Sequence, residues 1–572
     1  MKKISYISLI SIALLAMSCA EDFLDTKNLY QKSDESYYKT PADIEEALTG
    51  AYAAVPLDAG NNNPIIVSEL MSDDRLGGGG SNDDGFHGTD AFTLPPDADY
   101  YMNQFETGWQ GILRVNLILK RFDQAEYLDL AARDQAHGEA YFLRAFFYFR
   151  LSQFFGPVPL KLDPAPGNFP RATPEDMYGQ IALDLITAID LMPGTPYGSI
   201  PSERWGHATK WAAEALLARV FLFYTGYYEK TEIELADGGT LTKSDVIAYL
   251  DDLINNSGHR LLSDFRNNWT YSAVQRYAYT ANNGLDWADD DPGGNPEKIW
   301  SIKYGVHGGW NPPDQQLSYS NQNVLYSGLR QQEHLPFGAG WGSGPVTPQF
   351  YESFEPNDLR KDGSVLNVNK DDGSTIYPST PNPDEGPILD DYIWGSDNQM
   401  HETGLWSKKY LPVYDSVPGE TRIASIFFIS EGTPDNMQLW DMQDDILIRY
   451  ADVLLMAAEL KGPGAGDAHL NAVRSRAGLP DATASLENIQ RERRHELMGE
   501  GFRYFDLLRW SGQDLDYAIS AFNAATNFNV LNVGEEATYT VNFRPETGGF
   551  LPIPRTEILL SEGVLEQTPG WE

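Results

Sequence analysis

Gly138 to Leu160 reads GEAYFLRAFFYFRLSQFFGPVPL, and this stretch decides the fold. Counting from Ala136, apolar residues recur at Ala140, Leu143, Phe147, Leu151 and Phe154. Steps of three and four mark one face of a helix. Gly156-Pro157 ends it, because proline cannot continue a helix. Trp211, Ala215, Ala218 and Leu222 repeat the spacing, and Met192-Pro193-Gly194 stops another helix. Thr40-Pro41-Ala42-Asp43 and Thr173-Pro174-Glu175-Asp176 are helix starts: a threonine N-cap, proline at the first position, an acid at the third. The spacing predicts paired helices from about 40 to 228, with small alanines at their crossings. Stacked helix-turn-helix units of the tetratricopeptide kind have this texture, although no strict repeat of about 34 residues is visible.

Outward from that region the texture changes. Between 230 and 440 helical periodicity fades apart from Lys243 to Asn256, and Gly, Asn, Asp and Pro become frequent. Trp269, Trp287, Trp300, Trp310, Trp341, Trp394, Trp406 and Trp440 lie in this segment. Long irregular segments on a helical body carry function or disorder, and this many indoles argue against disorder. Helix is expected again over Asp444 to Lys461, near Asp467 to Arg476, and from about Leu486 to Trp510. The last sixty residues turn toward strand and loop. The chain therefore divides into 1–18, 19–229, 230–440 and 441–572.

The N-terminus is an export signal. Lys2 and Lys3 precede a mostly apolar run from Ile4 to Met17, too short to span a bilayer. Ser18 then precedes Cys19, the one cysteine in the chain. This pattern resembles a bacterial lipoprotein signal, in which Cys19 carries the lipid. Dual acylation makes such an anchor stable. No thiol is then left for disulfides, thiolate metal sites or cysteine nucleophiles. Ala20, Glu21 and Asp22 resemble the tag that sends lipoproteins to the outer face of the outer membrane.

The 572 residues carry a net charge of -40, which argues against nucleic acid and against polyanions held by bulk attraction. A content of 42% apolar and 12% aromatic residues fills a large core.

Catalytic signatures are missing. His495-Glu496 has Gly499 where a zinc protease needs its second histidine. The charged run from Arg491 to Arg509 reads as an ion network, with Glu500 to Arg503 and Arg503 to Asp506 at three-residue spacing. Asn367, Asn369 and Asp371 begin like a calcium loop, but Gly373 arrives one residue late and Pro378 holds the place of the closing Glu. A structural calcium site from separate loops, involving Asp289 to Asp291, stays open; no other cofactor is implied. The tetraglycine Gly77 to Gly80 lacks the Lys-Ser/Thr of a phosphate loop. Carboxylate pairs for glycoside hydrolysis are too numerous to single out.

Aromatic faces beside short polar side chains fit a sugar, whose C–H faces stack on rings while hydroxyls hydrogen-bond. The candidates are Asp73, Asp74 and Arg75 in an early loop, Tyr100 and Tyr101 soon after, and Trp287, Trp310 and Trp341 in the middle. Exposure of those three indoles on one concave surface near Asp73 to Arg75 would favour a glycan. Buried or scattered indoles would favour an interaction scaffold. Trp109, Trp205, Trp211 and Trp510 sit in helical patterns and are read as packing.

Several blocks together resemble the SusD/RagB family of outer-membrane nutrient-binding lipoproteins. They are Cys19 to Asp25 (CAEDFLD), Gly138 to Leu160, Ile448 to Glu459 (IRYADVLLMAAE), Asn471 to Leu479 (NAVRSRAGL), Arg491 to Trp510 (RERRHELMGEGFRYFDLLRW), Leu551 to Ile558 (LPIPRTEI) and Gln567 to Trp571 (QTPGW). The resemblance implies a mainly α fold, four tetratricopeptide-like helix pairs packed against a loop-rich region with minor β. It implies a non-catalytic, surface-exposed lipoprotein of the outer membrane, sitting on a SusC-like TonB-dependent transporter and handing it oligosaccharides. The charge favours a neutral glycan. A peptide cargo within the same family, and a surface glycoside hydrolase, are the alternatives. The blocks specify scaffold and partner; the ligand residues rest on chemistry alone.

Overall fold

The computed structural model describes residues 37–56, 64–97, 99–290, 294–305, 320–334, 336–368, 392–420 and 422–571. Cys19 with the export signal, the start of the mature chain, Trp310, Asp291, and the calcium-like stretch from Asn369 to Pro378 lie outside the described residues.

The fold is mainly α. α1 (Pro41–Tyr52) begins at Thr40, whose hydroxyl accepts from Asp43 N while the Asp43 carboxylate accepts from Thr40 N, a reciprocal capping box. α2 (Met102–Arg121), α3 (Leu130–Phe155), α4 (Pro174–Leu191), α5 (Lys210–Tyr227) and α6 (Lys243–Asn256) follow, each packed on the one before. Thr173 caps α4 as its sequence predicts. Gly156 ends α3 at φ 71°, a conformation most side chains avoid. Gly108 and Gly111 let α2 approach α3 closely: a Cβ at either would overlap Leu151 or Phe147.

The chain then leaves the helical scaffold and returns at Tyr450. α7 (Tyr450–Lys461) packs on α5 and α6; α8 (Asp467–Arg476) and α9 (Leu486–Leu497) pack on α7, and α10 (Arg503–Ser511) on α5. Strands among the described residues form two-stranded pairs, including the hairpin Phe528–Asn532 with Glu535–Tyr539.

Two expected helices divide. Over 444–461 the helix starts only at Tyr450; Asp445–Arg449 is a strand, antiparallel to Lys298–Ile302 and buried throughout. A short, fully buried apolar run has no period that separates strand from helix. Over 486–510 the break comes at Gly499 (φ 80°) and Gly501 (φ 83°). Their amides donate to the two Glu69 oxygens, at 3.1 and 2.7 Å.

A buried ion network ties the loop-rich segment to α9. Arg449 donates to Glu297, Glu496 and Glu500 at 3.0, 2.7 and 2.6 Å. Arg360 reaches Asp358, Glu492 and Glu496, and Lys409 reaches Glu500 at 2.7 Å. Burial alone would raise the Glu496 carboxyl; the Arg476, Arg449 and Arg360 guanidiniums outweigh it and hold the group well below the usual carboxylate range. The expected network therefore exists with other pairings. Glu500 goes to Arg449 and Lys409, Arg503 to Asp73, and Asp506 to Arg493 and Arg509. Three-residue spacing accounts for Asp506 with Arg509, whereas Glu500 and Arg503 face inward and meet distant parts of the chain.

Candidate functional site

Most of the early-loop candidates are structural. Asp73, Asp74 and Arg75 are buried. Arg503 grips Asp73 at 2.6 Å and Arg494 grips Asp74 at 2.5 Å, while Arg75 Nε donates to Gly344 O at 2.8 Å. Burial would raise Asp73, yet Arg503 and Arg494 hold it far below the usual carboxylate range. These residues are corrected from ligand contacts to interior pins. Tyr101 is likewise buried, its hydroxyl 3.0 Å from Thr89 Oγ1, and Tyr100 packs edge-on against it.

The indoles divide in the same way. Trp287 is only 9% exposed and packs edge-on against Phe427, so it is a core residue and not a platform. Trp269, Trp300, Trp406 and Trp440 are buried too. Trp341 is half-buried, its ring edge-on to Tyr326 at 4.9 Å. The exposed indole among the described residues is Trp394, at 38%. Trp109, Trp211 and Trp510 pack in helices as expected; Trp205 lies instead in the connection before α5 and is half-buried.

Trp394 lies on a loop-rich face that backbone close approach joins to the segment carrying Trp341. Gly78 and Gly79, at φ 61° and 72°, let the tetraglycine run against 342–344; a Cβ on Gly78 would overlap Gly342 O. Gly78 bridges Ser343, and Gly80 bridges Gln399. The tetraglycine thus serves chain-to-chain contact. Arg330 crosses the junction. It donates to Trp341 O at 2.8 Å and Asp397 O at 2.9 Å, and pairs with Asp83 at 3.3 Å and Asp397 at 3.1 Å.

The Trp394 ring is held from beneath. It packs edge-on against Tyr392 at 5.3 Å. Tyr392 Oη donates to Glu402 Oε1 at 2.6 Å and Gly395 N donates to Glu402 Oε2 at 2.8 Å. The same buried carboxylate therefore fixes the residues on both sides of the indole, although at Ile393 it is Gln332 that clamps the backbone. Burial pushes the Glu402 carboxyl up. Ile393 (59%), next in sequence, and Val533 (46%) are exposed as well, Gly395 lying against the Val533 and Gly534 backbone. Asp397, Asn398 and His401 all take positive φ, strain of the sort that accumulates at functional surfaces. An exposed ring with apolar neighbours and short polar side chains can stack a sugar face and bind its hydroxyls.

No cluster of three or more potential metal ligands occurs among the described residues. The Asp289 carboxylate is taken by Lys298, and Asn367 is buried in the strand Val365–Asn367. No described helix is long and apolar enough to cross a membrane.

Sequence reasoning missed Trp394. The available signal was Tyr392-Ile393-Trp394, an apolar run followed directly by Gly395-Ser396-Asp397 turn chemistry, which a packed strand would not need.

Comparison with known proteins bears on the family and the fold. A family model described as starch-binding, associating with the outer membrane, matches residues 22–222, and a SusD family model matches 296–571. SusD-like protein P25 of Formosa agariphila is 23% identical, covering 98% of each chain. A SusD-like protein of Bacteroides ovatus is 24% identical over 89% of this chain and 83% of its own. Among solved structures, a laminarin binding SusD-like protein superimposes with TM-score 0.69 at 24% identity, over 93% of this chain and 100% of that one. Surface glycan-binding protein A from Bacteroides thetaiotaomicron in complex with laminarihexaose gives 0.68 at 21%, over 92% and 99%. These two likenesses show a shared fold.

Proposed function

The chain belongs to the SusD/RagB family, and on that premise we propose that its loop-rich face binds a neutral oligosaccharide at Trp394. The observation that carries the reading is the exposed indole itself, held by Tyr392 and Glu402 on a face that also exposes Ile393 and Val533 and carries the Arg330–Asp397 pair. An exposed, edge-supported ring leaves its face open to sugar C–H groups. The laminarin-binding and laminarihexaose-bound neighbours support the class of ligand. On this face the Arg330 charge is matched by Asp83 and Asp397, which disfavours an acidic glycan.

The chain acts as a non-catalytic carrier. Lipid on Cys19 anchors it to the outer membrane, facing outward, and a SusC-like TonB-dependent transporter takes the glycan from it. Titration of the chain from Ala20 onward with laminarihexaose, other neutral oligosaccharides, a uronate-rich oligosaccharide and a peptide mixture tests the binding. The reading expects saturable binding of a neutral glycan without release of new reducing ends. Peptide binding alone, or reducing-end release, would contradict it.

A further inference from the structure

A cavity of about 90 Å³ lies between the connection from α4 to α5 and the strand Lys298–Ile302. It shares no lining residue with the loop-rich face. Half-buried Tyr197 and Trp205 form its aromatic walls, and their rings close on Gly294, where a Cβ would meet both. Its floor is Trp300, wedged edge-on against Phe142 and Phe146 and donating through Nε1 to Gly206 O at 3.0 Å.

Two buried polar atoms of the lining have no partner. Trp205 Nε1 is a donor by chemistry. His259 Nδ1 lies 3.0 Å from Pro296 O, a group that only accepts, so the proton sits on Nδ1. Burial pushes this imidazole down to about 4, so at neutral pH Nε2 is a bare acceptor, also without a partner. An unmet donor and an unmet acceptor in one cavity both cost stability until something satisfies them. A hydroxyl can do either.

The charged side chains of the lining are each paired: Arg204 with Glu45 and Glu139, which lie outside the lining, and the others with one another. Lys298 pairs with Asp289 and Asp444, and Lys303 with Asp444 at 2.6 Å. Among the described residues no lining charge is left unpaired. Aromatic walls, an unmet donor, an unmet acceptor and paired charges fit a polyhydroxylated, uncharged ring.

We propose that this cavity is a separate binding site for a single neutral sugar ring, its face against Tyr197 and its edge hydroxyls hydrogen-bonded by Trp205 Nε1 and His259 Nε2. The site extends the glycan reading but stands on its own residues.

Saturation-transfer NMR tests it, using methyl β-D-glucopyranoside, methyl β-D-galactopyranoside and methyl α-D-mannopyranoside, with glucuronate as the charged counterpart. The expected result is transfer to the ring C–H protons of at least one neutral glycoside, retained in Trp394→Ala. Trp205→Ala should weaken binding by about tenfold or more. Trp205→Phe keeps a ring but loses the N–H; it should fall between, which guards against an alanine variant that fails to fold. Near-UV circular dichroism checks each variant. Absence of transfer to every neutral glycoside, stronger binding of glucuronate, or loss in Trp394→Ala with retention in Trp205→Ala would overturn the proposal. If oligosaccharides fail to bind the loop-rich face while this transfer persists, the first reading falls and this one stands.

Discussion

Tyr392 donates its hydroxyl to Glu402 Oε1 at 2.6 Å, and the second oxygen of that carboxylate accepts from Gly395 N. The only residues between these two anchors are Ile393, clamped by Gln332, and Trp394, so Glu402 fixes both ends of the segment that carries the exposed indole. Glu402→Gln keeps the size but replaces one acceptor with a donor facing Gly395 N. Loss of such a buried hydrogen bond costs about 1–3 kcal/mol. Glycan affinity should drop several-fold as the indole loosens, read by calorimetry, with a red-shifted tryptophan emission. Unchanged affinity would mean that Glu402 does not position Trp394.

Arg449 balances three buried carboxylates. Arg449→Met leaves Glu297, Glu496 and Glu500 short of their shared cation, and removing one partner of a buried pair costs about 3–5 kcal/mol. Denaturant unfolding should show a loss of that order. A cost below about 1 kcal/mol would match an exposed pair instead and remove the network from the account of how loop-rich segment and scaffold are joined.

Gly499 tests the break between α9 and α10. Its φ is 80°, and a Cβ there would lie 2.9 Å from Ser407 Oγ. Gly499→Ala should destabilise by about 1–2 kcal/mol, the cost of a left-handed L-residue, plus the crowding. A neutral result by thermal unfolding would show that the turn can relax.

Glu214 sets a pH dependence. Burial raises its carboxyl from 4.5 to about 8, against the lowering influence of Lys210. A carboxyl raised in the fold binds its proton more tightly folded than unfolded. Its favourable contribution is therefore complete below the unfolded value and is lost as pH rises through the folded one. Glu214→Gln should flatten the fall in stability between about pH 5 and pH 8, and gain a few kcal/mol over the parent at the upper end. Parallel stability curves for the two proteins would contradict the assignment.

The scaffold was legible because its signals are local. Thr40, Thr173 and Gly156 announce helix ends through backbone chemistry, and α3 shows its face through regular spacing. The strand at Asp445–Arg449 was hidden, since burial on all sides erases periodicity. The candidate site was harder still. Asp73 and Asp74 look like loop acids until Arg503 and Arg494, more than four hundred residues later, are folded against them. Trp287 stands among acids and Trp394 ends an apolar run, the reverse of what their exposure would suggest; only tertiary packing buries the first under Phe427 and lifts the second on Tyr392.

The most direct test of the central claim is a calorimetric titration of laminarihexaose and other neutral oligosaccharides into the parent chain and Trp394→Ala. Loss of one stacked aromatic is worth about 1–2 kcal/mol, so the variant should bind the parent's preferred glycan about tenfold more weakly at unchanged melting temperature. Equal affinity in the two proteins would remove Trp394, and with it the loop-rich face, as the place where the glycan binds.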